Sequence, residues 1–226
     1  GTVAEALSDI GSADYFTYRK AATALASLGE PGIPTLVRAL ADRASNPAAC
    51  ARVASVLREV ARGRERVVAR FLDETTETTP LALMVDILGE SSDRTAIYHL
   101  KGVIDRLEPA GIEMDQVRET ILAKAHYHLA RAGSRVALDS LKRTMTRQRG
   151  RLMGEILAAV DEIGGKGELL DLLGHYGLEQ GWMKERIRES FRRLMKKCRV
   201  AAGDPIFQRL DDARRGWLAE ILEHLV

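Results

Sequence analysis

Residues 32–42 read GIPTLVRALAD and residues 48–57 read AACARVASVL, and these two stretches decide the predicted fold. Each places apolar residues at the i, i+3, i+4 and i+7 positions of an amphipathic helix. Asn46 and Pro47 precede the second stretch in the order of an N-cap and a first helical residue. The pair therefore predicts a helical hairpin, which cannot bury its apolar faces alone and must stack on further copies of itself.

The same spacing, broken by Gly, Pro and Asn, continues along the chain and predicts about six or seven hairpins. A short helix at 3–10 precedes one at 15–28. Thr79 is expected to cap the helix that begins at Pro80, and residues 109–111 (PAG) are expected to break the chain. The predicted pairs are 33–42 with 47–60, 64–72 with 80–88, 93–107 with 114–131, 135–145 with 149–163, 168–176 with 183–198, and 205–210 with a last helix from 213.

Composition supports an all-α chain. The 226 residues are 46% hydrophobic and 29% charged, and only 5% are aromatic, which suits close-packed helices better than a sheet. No window approaches 18 uncharged apolar residues and no signal-peptide pattern opens the chain, so a cytoplasmic protein without a membrane partner is expected.

The two ends of the sequence favour a fragment. The chain starts at Gly1 without Met, and its last helix is apolar up to Val226 with no polar capping unit after it. The prediction is a single repeat domain over residues 1–226, excised from a longer protein or docking its C-terminal end onto something else.

One group of residues carries a family resemblance: Pro34, Leu36, Val37, Leu40 and Asp42 in a first helix, Arg52, Val53 and Leu57 in a second, and ALASLG at 24–29. On these residues the chain resembles the HEAT-repeat family, and more narrowly the bacterial HEAT-like repeats related to phycobilisome-lyase HEAT proteins. The resemblance implies an α-α superhelix, a HEAT-like solenoid whose second helices line a concave, partner-binding face. It implies a fold rather than a function, and an irregular helical bundle is the alternative.

Charge is unevenly distributed, although the net charge is only +2. Residues 72–93 hold six acidic residues and no Lys or Arg. Residues 180–199 hold eight basic residues against two acidic ones, a net of +6 on one predicted helix. The apolar residues of that helix recur at helical spacing, which leaves the basic ones around its exposed arc.

We define the predicted anion site as the basic residues that could form a ridge across this helix and the preceding second helix. A ridge of this kind could bind phosphates or an acidic protein surface, whereas a merely solvated face is the alternative. Its members are Arg147, Arg151, Lys184, Arg188, Arg192, Lys196 and Arg199.

No catalytic, cofactor or metal site is predicted. His126 and His128 are two residues apart and point to different sides of a helix, so they cannot chelate one ion together. Residues 164–167 (GGKG) lack the spacing of a phosphate-binding loop. The HEAT-like alkylpurine DNA glycosylases use a basic cleft with tryptophans, and Trp182 at the start of the basic helix is the one feature that matches them.

The sequence therefore predicts a non-enzymatic interaction scaffold that binds a protein partner along its concave face, and an acidic protein is one candidate for that partner. Nucleic-acid binding through the basic C-terminal half is the alternative. Self-association of the acidic 72–93 segment with the basic 180–199 segment of another copy is a third hypothesis.

Overall fold

A computed structural model of the chain describes residues 2–108 and 114–223, and all regular secondary structure in these ranges is helical. This confirms the predicted all-α class. None of the helices in these ranges combines the length and the hydropathy that crossing a bilayer requires.

The helices alternate with short connections. Single 3₁₀ turns cover Glu30–Gly32 and Pro205–Phe207. The α-helices are α1 Val3–Asp9, α2 Tyr15–Ala26, α3 Ile33–Asp42, α4 Pro47–Ala61, α5 Glu65–Leu72, α6 Thr78–Gly89, α7 Arg94–Tyr98, α8 Leu100–Leu107, α9 Gln116–Arg131, α10 Leu138–Arg147, α11 Gly154–Ile163, α12 Glu168–Leu178, α13 Gly181–Cys198 and α14 Asp212–Leu222.

The chain forms two compact units, Gly1–His128 and Leu129–Val226, with the boundary inside α9. In the first unit, α1 packs on α2, α3 on α4, and α5 on α6. The second helices α2, α4 and α6 also contact one another in succession, as do α3, α5 and α7. Stacked hairpins are therefore present within this unit, as the sequence pattern predicted.

The second unit repeats the arrangement. Its hairpins are α10 with α11 and α12 with α13, while α10, α12 and α14 contact one another in succession and α13 packs on α11. Tyr176 of α12 and Phe191 of α13 are its largest fully buried side chains. Phe191 stacks on Phe207, with the ring centroids 6.1 Å apart.

Local signals set several helix boundaries as predicted. The Asn46 side chain accepts a hydrogen bond from the Ala49 N–H at 3.1 Å and caps α4. The prediction of Thr79 as a cap is wrong, because α6 begins at Thr78, two residues earlier than predicted, and Glu77 is its N-cap. The predicted break at 109–111 lies outside the described residues.

Three other boundaries differ from the prediction. The predicted helix at 93–107 is two helices that meet at His99, whose N–H bonds to the Ala96 carbonyl in 3₁₀ fashion. The segment 205–210 forms only one 3₁₀ turn. The second helix of the 135–163 hairpin begins at Gly154 rather than at Arg149.

Arginines of the first unit bind backbone carbonyls at the ends of other helices. Arg43 donates to the carbonyl of Leu7 (2.9 Å), which lies in the last turn of α1. Arg52 donates to the carbonyls of Ile10 (3.1 Å) and Ser12 (2.6 Å), which follow that helix. Arg106 donates to three carbonyls at the end of α5, with N···O distances of 3.0–3.1 Å. The last carbonyls of a helix have no partner within it, so these cations act as C-terminal caps supplied from elsewhere in the unit.

Candidate functional site

The basic helix α13 is fixed by its apolar stripe. Met183, Ile187, Phe191 and Leu194 are buried, and the helix packs between α11 and α12. The predicted buried stripe is thus confirmed for these residues. The basic side chains consequently leave α13 along its flanks, where neighbouring helices are also present.

Lys184 and Arg188 are directed at Tyr176 of α12. Arg188 donates a hydrogen bond to the Tyr176 hydroxyl at 2.7 Å, and its guanidinium lies 5.6 Å from the ring centroid. The Lys184 ammonium lies 4.7 Å from the same centroid. Burial raises the pKa of Tyr176, so the hydroxyl stays protonated and both cations contact a neutral aromatic ring.

Arg192 holds the end of α14. Its guanidinium donates twice to the Ile221 carbonyl, at 2.8 Å and 2.6 Å. Lys197, outside the predicted site, donates in the same way to the Glu162 carbonyl at the end of α11 (3.0 Å). These two side chains cap helix C-termini, as Arg106 does in the first unit.

The capping role of Arg192 has a measurable consequence. We expect Arg192→Ala to lower the free energy of unfolding by about 1–2 kcal/mol, because it removes two charge-assisted hydrogen bonds to one carbonyl. Lys196→Ala, one turn further along α13, should change it by less than about 0.5 kcal/mol, since this side chain is exposed. Urea unfolding of the two variants checks the difference, and equal effects would contradict a capping role.

The remaining members of the predicted site differ in position. The expectation that Arg147 and Arg151 lie on a second helix is wrong, because Arg147 is the last residue of α10 and Arg151 lies in the segment before α11. Arg147 donates to the Thr144 hydroxyl at 2.9 Å. Arg151 is exposed, as are Lys196 and Arg199 near the end of α13.

Lys196 borders an apolar groove that the sequence analysis missed. The groove, called here the α13 groove, has a volume of about 580 Å³. Its lining combines aliphatic side chains with the basic residues of the last turns of α13: Arg192, Arg193, Met195, Lys196, Val200, Ala201, Ala202 and Leu222. The exposed Ala201-Ala202 pair directly after a basic helix was the available sequence signal.

Three histidines in the described part of the chain are buried or mostly buried. His126 is buried, and His175 is buried with its Nε2 donating to the Met145 carbonyl at 2.8 Å. His128 Nε2 lies 3.3 Å from Asp86 Oδ1. Across residues 2–108 and 114–223, no three His, Cys, Asp or Glu side chains are grouped so that they could hold a metal ion.

The site's geometry thus divides the seven predicted residues into two classes. Arg147, Lys184, Arg188 and Arg192 contact groups within the second unit. Arg151, Lys196 and Arg199 are exposed, the last two near the end of α13. Comparison of the chain with protein-family models, curated proteins and solved structures finds no match.

Proposed function

We propose that the protein is a non-enzymatic interaction scaffold and that an acidic protein partner docks in the α13 groove. The observation that supports this most directly is the combination, in one open groove, of aliphatic walls and an unpaired cation, Lys196. Protein interfaces have the same composition, with an apolar centre and a polar, charged rim.

The apolar part of the groove offers a surface for partner side chains. Met195 and Val200 form its base, and Ala201, Ala202 and Leu222 add small aliphatic groups. A partner helix or loop that places one or two aliphatic side chains there would remove this surface from water. This burial contributes about 25 cal/mol of favourable free energy per Å² of apolar area.

The charged rim gives the groove its selectivity. Neither the Lys196 nor the Arg199 side chain has a hydrogen bond or ion pair with a residue in the described parts of the chain. Arg199 is also the left-handed residue (φ 54°) that ends α13, where glycine is favoured. An arginine there costs backbone energy of about 1 kcal/mol, and a role for its side chain in binding an acidic partner would account for its presence.

The same contacts favour a protein over nucleic acid. Binding to a nucleic-acid backbone depends on several simultaneous phosphate contacts. Of the cations on α13, Arg188, Arg192 and Lys197 already donate to groups within the unit, and Arg193 pairs with Asp161 at 3.0 Å. Nucleic-acid binding through the cations that remain is our second candidate. The HEAT resemblance, the concave binding face, the cytoplasmic location and self-association stay predictions.

Site-specific photocrosslinking in cells tests the proposal. A photoreactive benzoylphenylalanine at Ala202 should crosslink to a discrete protein of acidic character. Lys196→Glu should abolish the adduct, because it reverses the charge on the groove's rim. Lys20→Glu, the same reversal at an exposed position of α2 in the first unit, should leave it unchanged.

Two outcomes would count against the proposal. The first is an adduct that Lys196→Glu and Lys20→Glu affect equally, and the second is no adduct at all. Fluorescence anisotropy with single- and double-stranded DNA and RNA at about 50 and 200 mM salt tests nucleic-acid binding, the second candidate. Steeply salt-dependent binding that the Lys196→Glu/Arg199→Glu variant loses would support nucleic-acid binding instead.

A further inference from the structure

The second unit contains another cavity, on a face that the α13 groove does not use. It lies among the last turn of α10, the segment that follows it, α12 and the first turn of α14, and its volume is about 200 Å³. Pockets for drug-sized ligands are larger, about 300–1,000 Å³, so this cavity suits a smaller molecule. Its lining residues are Met145, Thr146, Arg149, Leu170, Asp171, Gly174, His175 and Arg214.

Two side chains of opposite charge line the cavity and do not form an ion pair with each other. Arg149 is exposed and Asp171 is half-buried, and neither side chain makes a hydrogen bond or ion pair with any residue that the structure describes. Burial raises the pKa of Asp171, with Glu168 acting in the same direction and Lys142 against it. Arg214 adds a second cation, which an ion pair with Asp211 holds in place. The unpaired groups are thus one guanidinium and one carboxylate.

Gly174 leaves space on the α12 side of the cavity, because it has no side chain. Glycine is unfavourable inside a helix compared with alanine, and α12 contains two glycines, Gly174 and Gly177. A Cβ at Gly177 would lie 2.1 Å from the Trp217 ring, so close packing explains that glycine. A Cβ at Gly174 would meet no atom within 4 Å. Packing therefore does not require Gly174, and a side chain at this position would enter the cavity that it lines.

His175 keeps the base of the cavity rigid and uncharged. Its Nε2–H bonds to the Met145 carbonyl at 2.8 Å and so joins α12 to α10. Burial lowers the pKa of this histidine, and the neutral ring is the form present at pH 7. Met145 and Leu170 give the cavity an aliphatic side beside its two charges.

We propose that this cavity binds a small zwitterion of the aliphatic amino-acid class. The ligand's ammonium pairs with Asp171, its carboxylate pairs with Arg149 and Arg214, and its side chain lies against Met145 and Leu170. A single cation or a single anion would leave one of the two lining charges unpaired. The site shares no residue with the α13 groove, so a negative result for either proposal leaves the other unaffected.

Calorimetric titration of the purified chain with three isosteric probes tests the charge requirement. The probes are L-leucine, leucinol, which lacks the carboxylate, and 4-methylpentanoate, which lacks the amine. We expect L-leucine to bind and each analogue to bind at least about tenfold more weakly, because each loses one charge-assisted contact. No binding of L-leucine, or equal binding of either analogue, would overturn the proposal.

Variants of the cavity complete the test. Gly174→Leu should abolish L-leucine binding by filling the cavity, and Arg149→Gln and Asp171→Asn should each weaken it about tenfold. Gly216→Leu is the matched control, because Gly216 also lies in a helix, does not line the cavity, and its added Cβ would meet no atom within 4 Å. Binding that survives Gly174→Leu, or that Gly216→Leu removes equally, would place the ligand elsewhere and refute the assignment.

Discussion

Gly177→Leu is expected to displace α14 from α12 and to lower the free energy of unfolding by about 3 kcal/mol, the upper end of the usual cost of overpacking. The Trp217 indole lies directly over Gly177, with its Cε2 and Cζ2 atoms at 2.1 and 2.2 Å from the position of an added Cβ. The contact is with a bulky ring on a packed helix. A leucine at this position forces the partly buried ring to move, and α14, whose Leu218 and Ile221 are buried, is expected to move with it.

Fluorescence reports this displacement directly. The sequence has two tryptophans, and Trp182 is 68% exposed. In a Trp182→Phe background the emission therefore comes from Trp217 alone, and Gly177→Leu should shift it to longer wavelength as the indole becomes solvated. Urea unfolding of the same proteins gives the change in free energy.

Gly174→Leu is the matched control, three residues earlier on the same helix. Its side chain enters open space, so the gain in helix propensity should raise stability by about 0.5–1 kcal/mol. Unchanged Trp217 emission and equal stability of the two leucine variants would show that the indole does not pack on Gly177.

Helices with strong local signals were predictable from the sequence. The α3–α4 hairpin has a complete apolar stripe and the Asn46–Pro47 start signal, and the predicted helix at 33–42 matches α3. The start of α11 was predicted wrongly because one of the contacts that set it is not local in sequence. α11 begins at Gly154 because residues 148–153 are held in a turn. The Leu152 N–H of this turn donates a hydrogen bond to the Glu179 carboxylate at 2.6 Å.

The anion site was only partly predictable, and for a related reason. Charge pattern correctly located a basic helix, but it could not show where each cation points. Arg192 binds a carbonyl 29 residues away and Lys197 one 35 residues away. A backbone carbonyl at the end of a helix is present whatever the residue, so nothing in the sequence marks it as the acceptor of an arginine.

The cavity beside Gly174 was not predictable from spacing at all. Arg149, Asp171 and Arg214 come from three separate segments, and none belongs to a recognisable motif. The one available signal was Gly174 inside a predicted helix, since such a glycine usually has a packing or functional reason.

Asp86→Ala is expected to destabilise the first unit by about 1–3 kcal/mol at pH 7. Asp86 of α6 accepts hydrogen bonds from Lys124 Nζ (2.8 Å) and His128 Nε2 (3.3 Å) of α9. His128 is mostly buried, and its ring packs against Gly89. Without the carboxylate both donors lose their partner in a half-buried site, and the α6–α9 contact loses its polar link.

The effect should depend on pH in a defined direction. Burial acts to raise the pKa of Asp86, but the hydrogen bonds from His128 and Lys124, together with their charges, outweigh it and hold the pKa below its ordinary value. The unfolded chain therefore binds the proton more readily than the folded one, and stability increases with pH in this range. The contribution is complete above the unfolded pKa of about 3.9 and is lost as the pH falls through the folded pKa.

Urea unfolding of the full chain between pH 7 and pH 3 measures this contribution as the difference between the native protein and Asp86→Ala. Hydrogen exchange of peptides from α6 and α9 assigns the loss to the first unit. Asp105→Ala is the control, because it breaks an ion pair with Lys101 in which Asp105 is more than half exposed, and it should cost less than about 0.5 kcal/mol. A difference for Asp86→Ala that stays constant down to pH 3, or that is no larger than the control's, would show that the Asp86 contacts do not stabilise the fold.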